Sequence, residues 1–231
     1  VDNFPDRLYN NDIDNKTERT MFTSDQVWGL AVAADRINGG YFKEDVYVYE
    51  GECRKRTTQA NKLMLKDWLR TGALTEATEA DIEKGREVRN YFNGFLLKQI
   101  SGKINEFEQQ ALRIAQMDEF TGKNMLEFAI VSCLPSVMIR DQSRNELARE
   151  VRASTQLQGA VGDKIQGEIE VVKCYYSKDY DKYRVTAKLV DSFVDFWYNS
   201  NLEAGQKLTI KAKIKSVRGD NTTQLNFVKR A

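Results

Sequence analysis

The hydrophobic period of this 231-residue chain changes once, from 3.6 to 2, at about residue 160. No single bundle or sheet satisfies both patterns, because a helical stripe recurs every three to four residues and a strand face every second residue. The chain therefore reads as an α+β multidomain protein, with an irregular arm over 1–22, an all-α domain over 23–156 and an all-β domain over 162–231. The length suits one large or two small domains. With 41% apolar and 10% aromatic residues and two prolines, the chain can bury a core and is not a disordered sequence.

The arm is rich in Asn and Asp and has no apolar periodicity. Thr23 and Gln26 then form a capping box ahead of Val27, Leu30, Ala31, Ala34 and Ile37, and Asn38, Gly39 and Gly40 stop that helix. Tyr41 to Glu50 alternates only in part and reads as a short extended piece or a loop. Ala60, Leu63, Met64 and Trp68 share one face of a helix over 57–70, with Arg54, Lys55 and Arg56 as its solvated start in preference to a DNA contact. Thr78 and Asp81 cap the next helix, which carries Val88, Phe92, Phe95 and Ile100 and bends at Gly94, and the pattern resumes through Ile104, Phe107, Ala111 and Ile114. Glu76, Glu79, Asp81 and Glu83 serve the helix dipole in preference to a metal ion. Met125 to Cys133 is a short helix, and Pro135 opens a last one whose mixed charges from Arg140 to Arg152 make it a solvated strut.

Beyond residue 160 the strands follow in order. Ile165, Gly167, Ile169 and Val171 alternate, and then Val172, Cys174 and Tyr176 take over, a phase switch expected of a long, bent barrel strand with a bulge. Ser177 to Lys182 is a hairpin connection, Tyr183, Val185, Ala187 and Leu189 mark a second strand, and Phe193 to Tyr198 a third. After a longer connection, Leu208, Ile210, Ala212 and Ile214 alternate with Lys211, Lys213 and Lys215, and Thr223 to Lys229 closes the set. Five strands in about 65 residues suit a small barrel, and their order suggests a five-stranded OB-fold β-barrel.

Alternation assigns the faces. With Val194, Phe196 and Tyr198 inward, Phe193 and Trp197 point outward, and with Val185, Ala187 and Leu189 inward, Arg184, Thr186 and Lys188 share the outer face. The ligand platform of an OB fold lies on the second and third strands, framed by the first-to-second and fourth-to-fifth loops. Trp197 and Phe193 are accordingly the base-stacking candidates, with Arg184 and Lys188 beside them, Tyr180 and Lys182 on the first loop, Arg218 on the last, and Lys211, Lys213 and Lys215 as a phosphate track. Three alternatives stand beside these assignments. A one-residue slip would exchange the faces, strand lysines also protect edges, and the two loops also suit plain hairpins with Gly219 and Asn221 at positive φ.

Val161-Gly162-Asp163-Lys164, Val194-Asp195-Phe196-Trp197-Tyr198, Leu202-Glu203-Ala204-Gly205-Gln206 and Thr223-Gln224-Leu225 resemble the C-terminal OB modules of tailed-phage proteins and single-stranded DNA-binding proteins. The resemblance covers only the last third of the chain. It implies binding of single-stranded DNA with little sequence preference in phage-type DNA replication, recombination or repair. The CxxC zinc ribbon and acidic C-terminal tail of some similar proteins are not found in this sequence, so the likeness does not extend to the docking of replication partners.

Composition narrows the chemistry. The absence of histidine removes His-dependent triads, His metal ligands and a His general base, and the reading is a non-enzymatic binding protein without a cofactor or metal. Lys+Arg 35 against Asp+Glu 34 excludes a uniformly basic coat, yet residues 163–231 hold 13 basic and 9 acidic residues, leaving 22 basic and 25 acidic in the rest. Cys53, Cys133 and Cys174 show no paired ligand spacing and read as reduced thiols, which places the protein in the cytoplasm, that of the host cell if phage-encoded. No apolar run reaches the roughly 20 residues that span a bilayer, so no membrane partner is expected. Nothing distinguishes RNA from DNA, because no motif reads a 2′-hydroxyl. The rival from another class is a structural or assembly protein whose barrel and helices bind proteins, and a third reading combines the two, with the helical domain mediating self-association and the OB domain binding DNA.

Overall fold

In the computed structural model, residues 21–51, 53–122 and 124–231 are described. Most of the expected arm, residues 1–20, lies outside them. The chain divides into two compact units, 1–141 and 142–231, so the division falls within a helix and not at the change of period.

In the first unit Met21–Thr23 (β1) leads into Ser24–Asn38 (α1). Thr23 and Gln26 close the expected capping box, and Gly39 ends the helix at φ 68°, the left-handed conformation that glycine adopts freely. Val46–Glu50 (β2) and Cys53–Thr58 (β3) form an antiparallel hairpin, and Asn61–Thr71 (α2) follows. This corrects the expected helix start: Arg54, Lys55 and Arg56 lie on β3, opposite Tyr49, Val48 and Tyr47. Gly51 turns the chain there at φ 63°, and the β-branched pair Thr57 and Thr58 favours strand over helix. A short 3-10 turn over Leu74–Glu76 precedes Glu79–Asn93 (α3), whose capping box is Thr78 with Asp81. Gly94 ends α3, and Leu96–Ile100 (α4) is a separate turn of helix that leaves Ile100 exposed. Glu106–Ala115 (α5), Glu119–Thr121 (β4), Met125–Val131 (α6) and Leu134–Ala153 (α7) complete the order. The three residues of β4 pair with β1, a contact between positions about 100 apart that period alone does not reveal.

The core of this unit gathers Trp28, Leu30, Leu65, Phe92, Leu112, Phe120, Phe128 and Met138. Helices α1 and α3 meet through two glycines. A methyl at Gly85 would lie 2.8 Å from the Trp28 carbonyl carbon and 2.9 Å from the Gly29 nitrogen, and one at Gly29 would lie 2.9 Å from Ile82. Arg36 on α1 reaches Asp81 on α3 through both carboxylate oxygens, at 2.9 and 2.8 Å. This bidentate pair, with the Thr78 cap, holds the Asp81 carboxyl down at about 2.

The second unit is a closed barrel of Lys164–Ser177 (β5), Lys182–Leu189 (β6), Ser192–Tyr198 (β7), Lys207–Val217 (β8) and Thr222–Arg230 (β9), in the order β5-β6-β7-β9-β8. The 14 residues of β5 serve two neighbours, β8 with the first half and β6 with the second. A bulge between Val171 and Lys173 lies where the alternation changes phase. All pairings are antiparallel except β7 with β9. Ile169, Val171, Val185, Ala187, Val194, Phe196, Ile210 and Ile214 fill the interior, as the alternation assigns them. The segment after α7 is fastened to the barrel: Thr155 donates to the Asp191 carbonyl, and the Asn221 side chain donates to the carbonyls of Arg152 and Ser154. Asn221 takes the expected positive φ of 67°, whereas Gly219 does not. Among the described residues no helix is long and apolar enough to cross a membrane.

Candidate nucleic-acid interface

Register places the outer face of β5, β6 and β7 in three rows. Tyr175, Arg184 and Trp197 form one, Lys173, Thr186 and Asp195 the next, and Glu170, Lys188 and Phe193 the third. The bulge after Val171 sets this phase on β5: without it Tyr175 would face the core in place of Cys174.

Two loops bring further groups to the first two rows. In the β5–β6 turn Asp181 adopts φ 47° and accepts a 2.5 Å hydrogen bond from the Tyr176 hydroxyl, which pushes the Tyr176 pKa up. The turn so fixed carries Tyr180 over the indole of Trp197, with ring centroids 4.6 Å apart and planes inclined at 36°. Tyr180 remains 63% exposed, so the pair offers an aromatic surface to solvent. In the β8–β9 turn Arg218 donates its backbone N–H to the Thr222 carbonyl, and its guanidinium reaches Asp195 at 3.4 Å.

Asp195 is the hub of the cationic part. Although on the outer face it is buried, and it accepts from Arg184 at 2.9 Å, from Thr186 at 2.7 Å and from Arg218. Its hydrogen bond, with a further contribution from Tyr175, raises the Arg184 pKa. One carboxylate thus holds two guanidinium groups beside the rings, and the cluster keeps a net positive charge. Along β5 the Lys173 ammonium lies 5.7 Å from the Tyr175 ring.

Of the residues proposed from sequence, Trp197, Tyr180, Arg184 and Arg218 come together here, and Lys182 is exposed at the start of β6, opposite Ser177. Phe193 does not serve as a stacking surface. It is only 1% exposed, in a depression of about 480 Å³ shared with Glu150, Ala153, Ser154 and Thr155, because the end of α7 and the segment after it lie over that part of β7. Lys188 is exposed beside the same depression, one row beyond Asp195. Lys211, Lys213 and Lys215 lie on β8, which borders neither β6 nor β7. Tyr175, Lys173 and Asp195 escaped the sequence reading. The change of phase on β5 was the signal for the first two, and an acid in a strand of rings was the signal for the third.

A larger, open depression of about 1000 Å³ lies elsewhere, between residues 155–158, the start of β5 and the β6–β7 turn. None of the cluster residues lines it. A smaller cleft of about 260 Å³ adjoins the aromatic pair and is lined by Trp197, Tyr198, Asn199, Ser200, Val228 and Lys229. Among the described residues no three His, Cys, Asp or Glu side chains are grouped as a metal ion would require. Comparison of the chain with protein-family models, curated proteins and solved structures finds no match.

Proposed function

We propose that the C-terminal barrel is an OB-fold module that binds single-stranded DNA with little sequence preference, without catalysis, in phage-type replication, recombination or repair. The strand order supports the fold assignment: the first strand bridges the two halves of the barrel, and the third and fifth lie side by side in parallel. The observation that carries the function is the Tyr180–Trp197 ring pair bordered by Arg184 and Arg218. Single-strand binders need both components, flat rings for splayed bases and cations for phosphates, and neither one reads sequence. The corresponding setting is the cytoplasm of a host cell.

Titration of a fluorescein-labelled 30-nucleotide dT oligomer tests this. Micromolar or tighter binding that weakens with salt is expected, and Trp197→Ala is expected to weaken it about 5- to 150-fold, from a stacking contribution of about 1–3 kcal/mol. Absence of binding overturns the proposal, and an rU oligomer in the same assay measures any preference for RNA.

A second reading rests on the first unit, where Leu96, Leu97, Ile100 and Phe107 on α4 and α5 are exposed, Ile100 by 76%. Apolar side chains in solvent suit a protein partner or self-association. Sedimentation of the full chain decides the latter: mass rising with concentration supports it, and a concentration-independent monomer removes it.

A further inference from the structure

The cations of β8 belong to a second surface. Lys213 pairs directly with Lys164 on β5, and Lys211 pairs directly with Lys229 on β9. Like charges opposite each other weaken a sheet, so two such pairs in neighbouring rows do not follow from folding. Lys207 on the same strand is treated differently and reaches Glu170 at 3.7 Å. Lys164, Lys211, Lys213, Lys215 and Lys229 enter no ion pair among the described residues. All are exposed except Lys213, which is half-buried.

An aromatic group stands among them. Between the pairs Lys211 with Lys229 and Lys213 with Asn226, β9 supplies one residue more than β8. The bulge places Phe227 at φ 53°, a left-handed conformation that a bulky side chain rarely adopts. The ring is 73% exposed, with the Lys213 ammonium 5.7 Å from its centroid. Strained and solvated, this side chain serves neither core nor turn.

The surface is continuous with the ring pair. Lys229, one end of the lysine rows, lines the cleft that Trp197 lines from the other side. We infer that a nucleic-acid strand stacked at Trp197 continues through this cleft and over the lysine face, its phosphates on Lys229, Lys211, Lys213 and Lys164 and a base on Phe227. The inference rests on the proposed single-strand binding and extends its site round the barrel. At roughly 4.8 Å per strand, the path from β7 through β9 and β8 to β5 adds about 14 Å, room for two or three nucleotides.

The test uses the full chain with labelled dT oligomers of 5 and 20 nucleotides and a combined Lys211→Gln, Lys213→Gln, Lys229→Gln variant. Binding of the 5-mer, which reaches only part of the lysine face beyond the ring pair, is expected to fall less than that of the 20-mer. Binding of the 20-mer should fall at least tenfold, and its salt slope should become shallower by about 2, the value for three single-strand phosphate contacts. Phe227→Gly should weaken the 20-mer more than the 5-mer. Unchanged 20-mer affinity and slope in a lysine variant that melts like the parent overturns the inference while leaving the ring pair in place. The converse pattern, with Trp197→Ala neutral on both oligomers and the lysine variant defective on the 20-mer, removes the ring pair and keeps the lysine face. If the unmodified chain binds neither oligomer, both fall.

Discussion

Asp195→Asn is the most informative single substitution, because it moves stability and binding in opposite directions. The buried carboxylate accepts from Arg184 at 2.9 Å, Thr186 at 2.7 Å and Arg218 at 3.4 Å. An Asn side chain keeps one acceptor for Thr186 but loses the charge that gathers the two guanidinium groups. The Arg218 side chain is 40% exposed and its contact is long, so its loss costs little, and the Arg184 contact, with that side chain 32% exposed, dominates. The sum is about 2 kcal/mol of stability, which a domain with the usual 5–15 kcal/mol tolerates. A phosphate resting on the outer side of the two guanidinium groups would lie roughly 7 Å from the carboxylate. Their repulsion is about 0.6 kcal/mol if screened as in bulk water and about 2.4 kcal/mol at an effective dielectric constant near 20, so its removal should tighten binding about 3- to 60-fold. Urea unfolding followed by tryptophan fluorescence measures the first effect, and anisotropy of a labelled 10-nucleotide dT oligomer at 50 and 200 mM salt measures the second. Unchanged or weaker binding by a folded Asp195→Asn protein refutes the placement of phosphates over Arg184 and Arg218.

Two predictions concern the helical unit. Gly85→Ala places a methyl 2.8 Å from the Trp28 backbone, where no flexible group can yield, and should destabilise the unit by about 1–3 kcal/mol, read from the thermal midpoint at 222 nm; an unchanged midpoint would show that α1 and α3 separate at little cost. Asp81, held at about 2 chiefly by its hydrogen bonds from Arg36, has a folded pKa below the ordinary carboxylate value of 3.8, so its contribution is complete above the unfolded pKa and is lost as pH falls through the folded one. Asp81→Asn should therefore cost about 2 kcal/mol at pH 7, with the deficit closing between about pH 4 and pH 2, and a pH-independent deficit in urea melts would assign the effect to packing.

The parts of the fold legible in sequence are those set by near neighbours. The capping boxes at Thr23 and Thr78 each depend on a partner three residues away, and the barrel strands follow from alternation together with the phase change at Val171. Of the short sheets only β2 showed, as the extended alternative for Tyr41 to Glu50, and the rest were hidden for the converse reason. β1 and β4 are three residues each and gain their partners from across the unit, and the hairpin of β2 and β3 was hidden because its basic strand has no apolar alternation. The end of α7 likewise has a helical period, but Arg152, Ser154 and Thr155 are tied to the barrel by contacts with Asn221 and Asp191 that no local pattern shows.

The site separates phase from cover. Phe193 and Trp197 are four residues apart on one strand, and both point outward, yet Phe193 is buried and Trp197 is half-exposed beside an open cleft. Alternation decides on which side of the sheet a ring emerges, and the register confirms that decision for every pair from Lys188 with Phe193 to Tyr183 with Tyr198. Whether a ring meets solvent depends on what the rest of the chain lays over it, here residues about 40 positions earlier, and no local pattern carries that information. The same division explains Asp195. Its alternation marks it as exposed, but Arg184, Thr186 and Arg218 close over it and turn a surface acid into the anchor of a cationic face. A binding surface on so small a barrel is therefore defined by subtraction, as the outward positions that neither the α7 segment nor the arginine cluster covers, which on this face include the Trp197 and Tyr180 pair, Tyr175, Lys173 and Lys188.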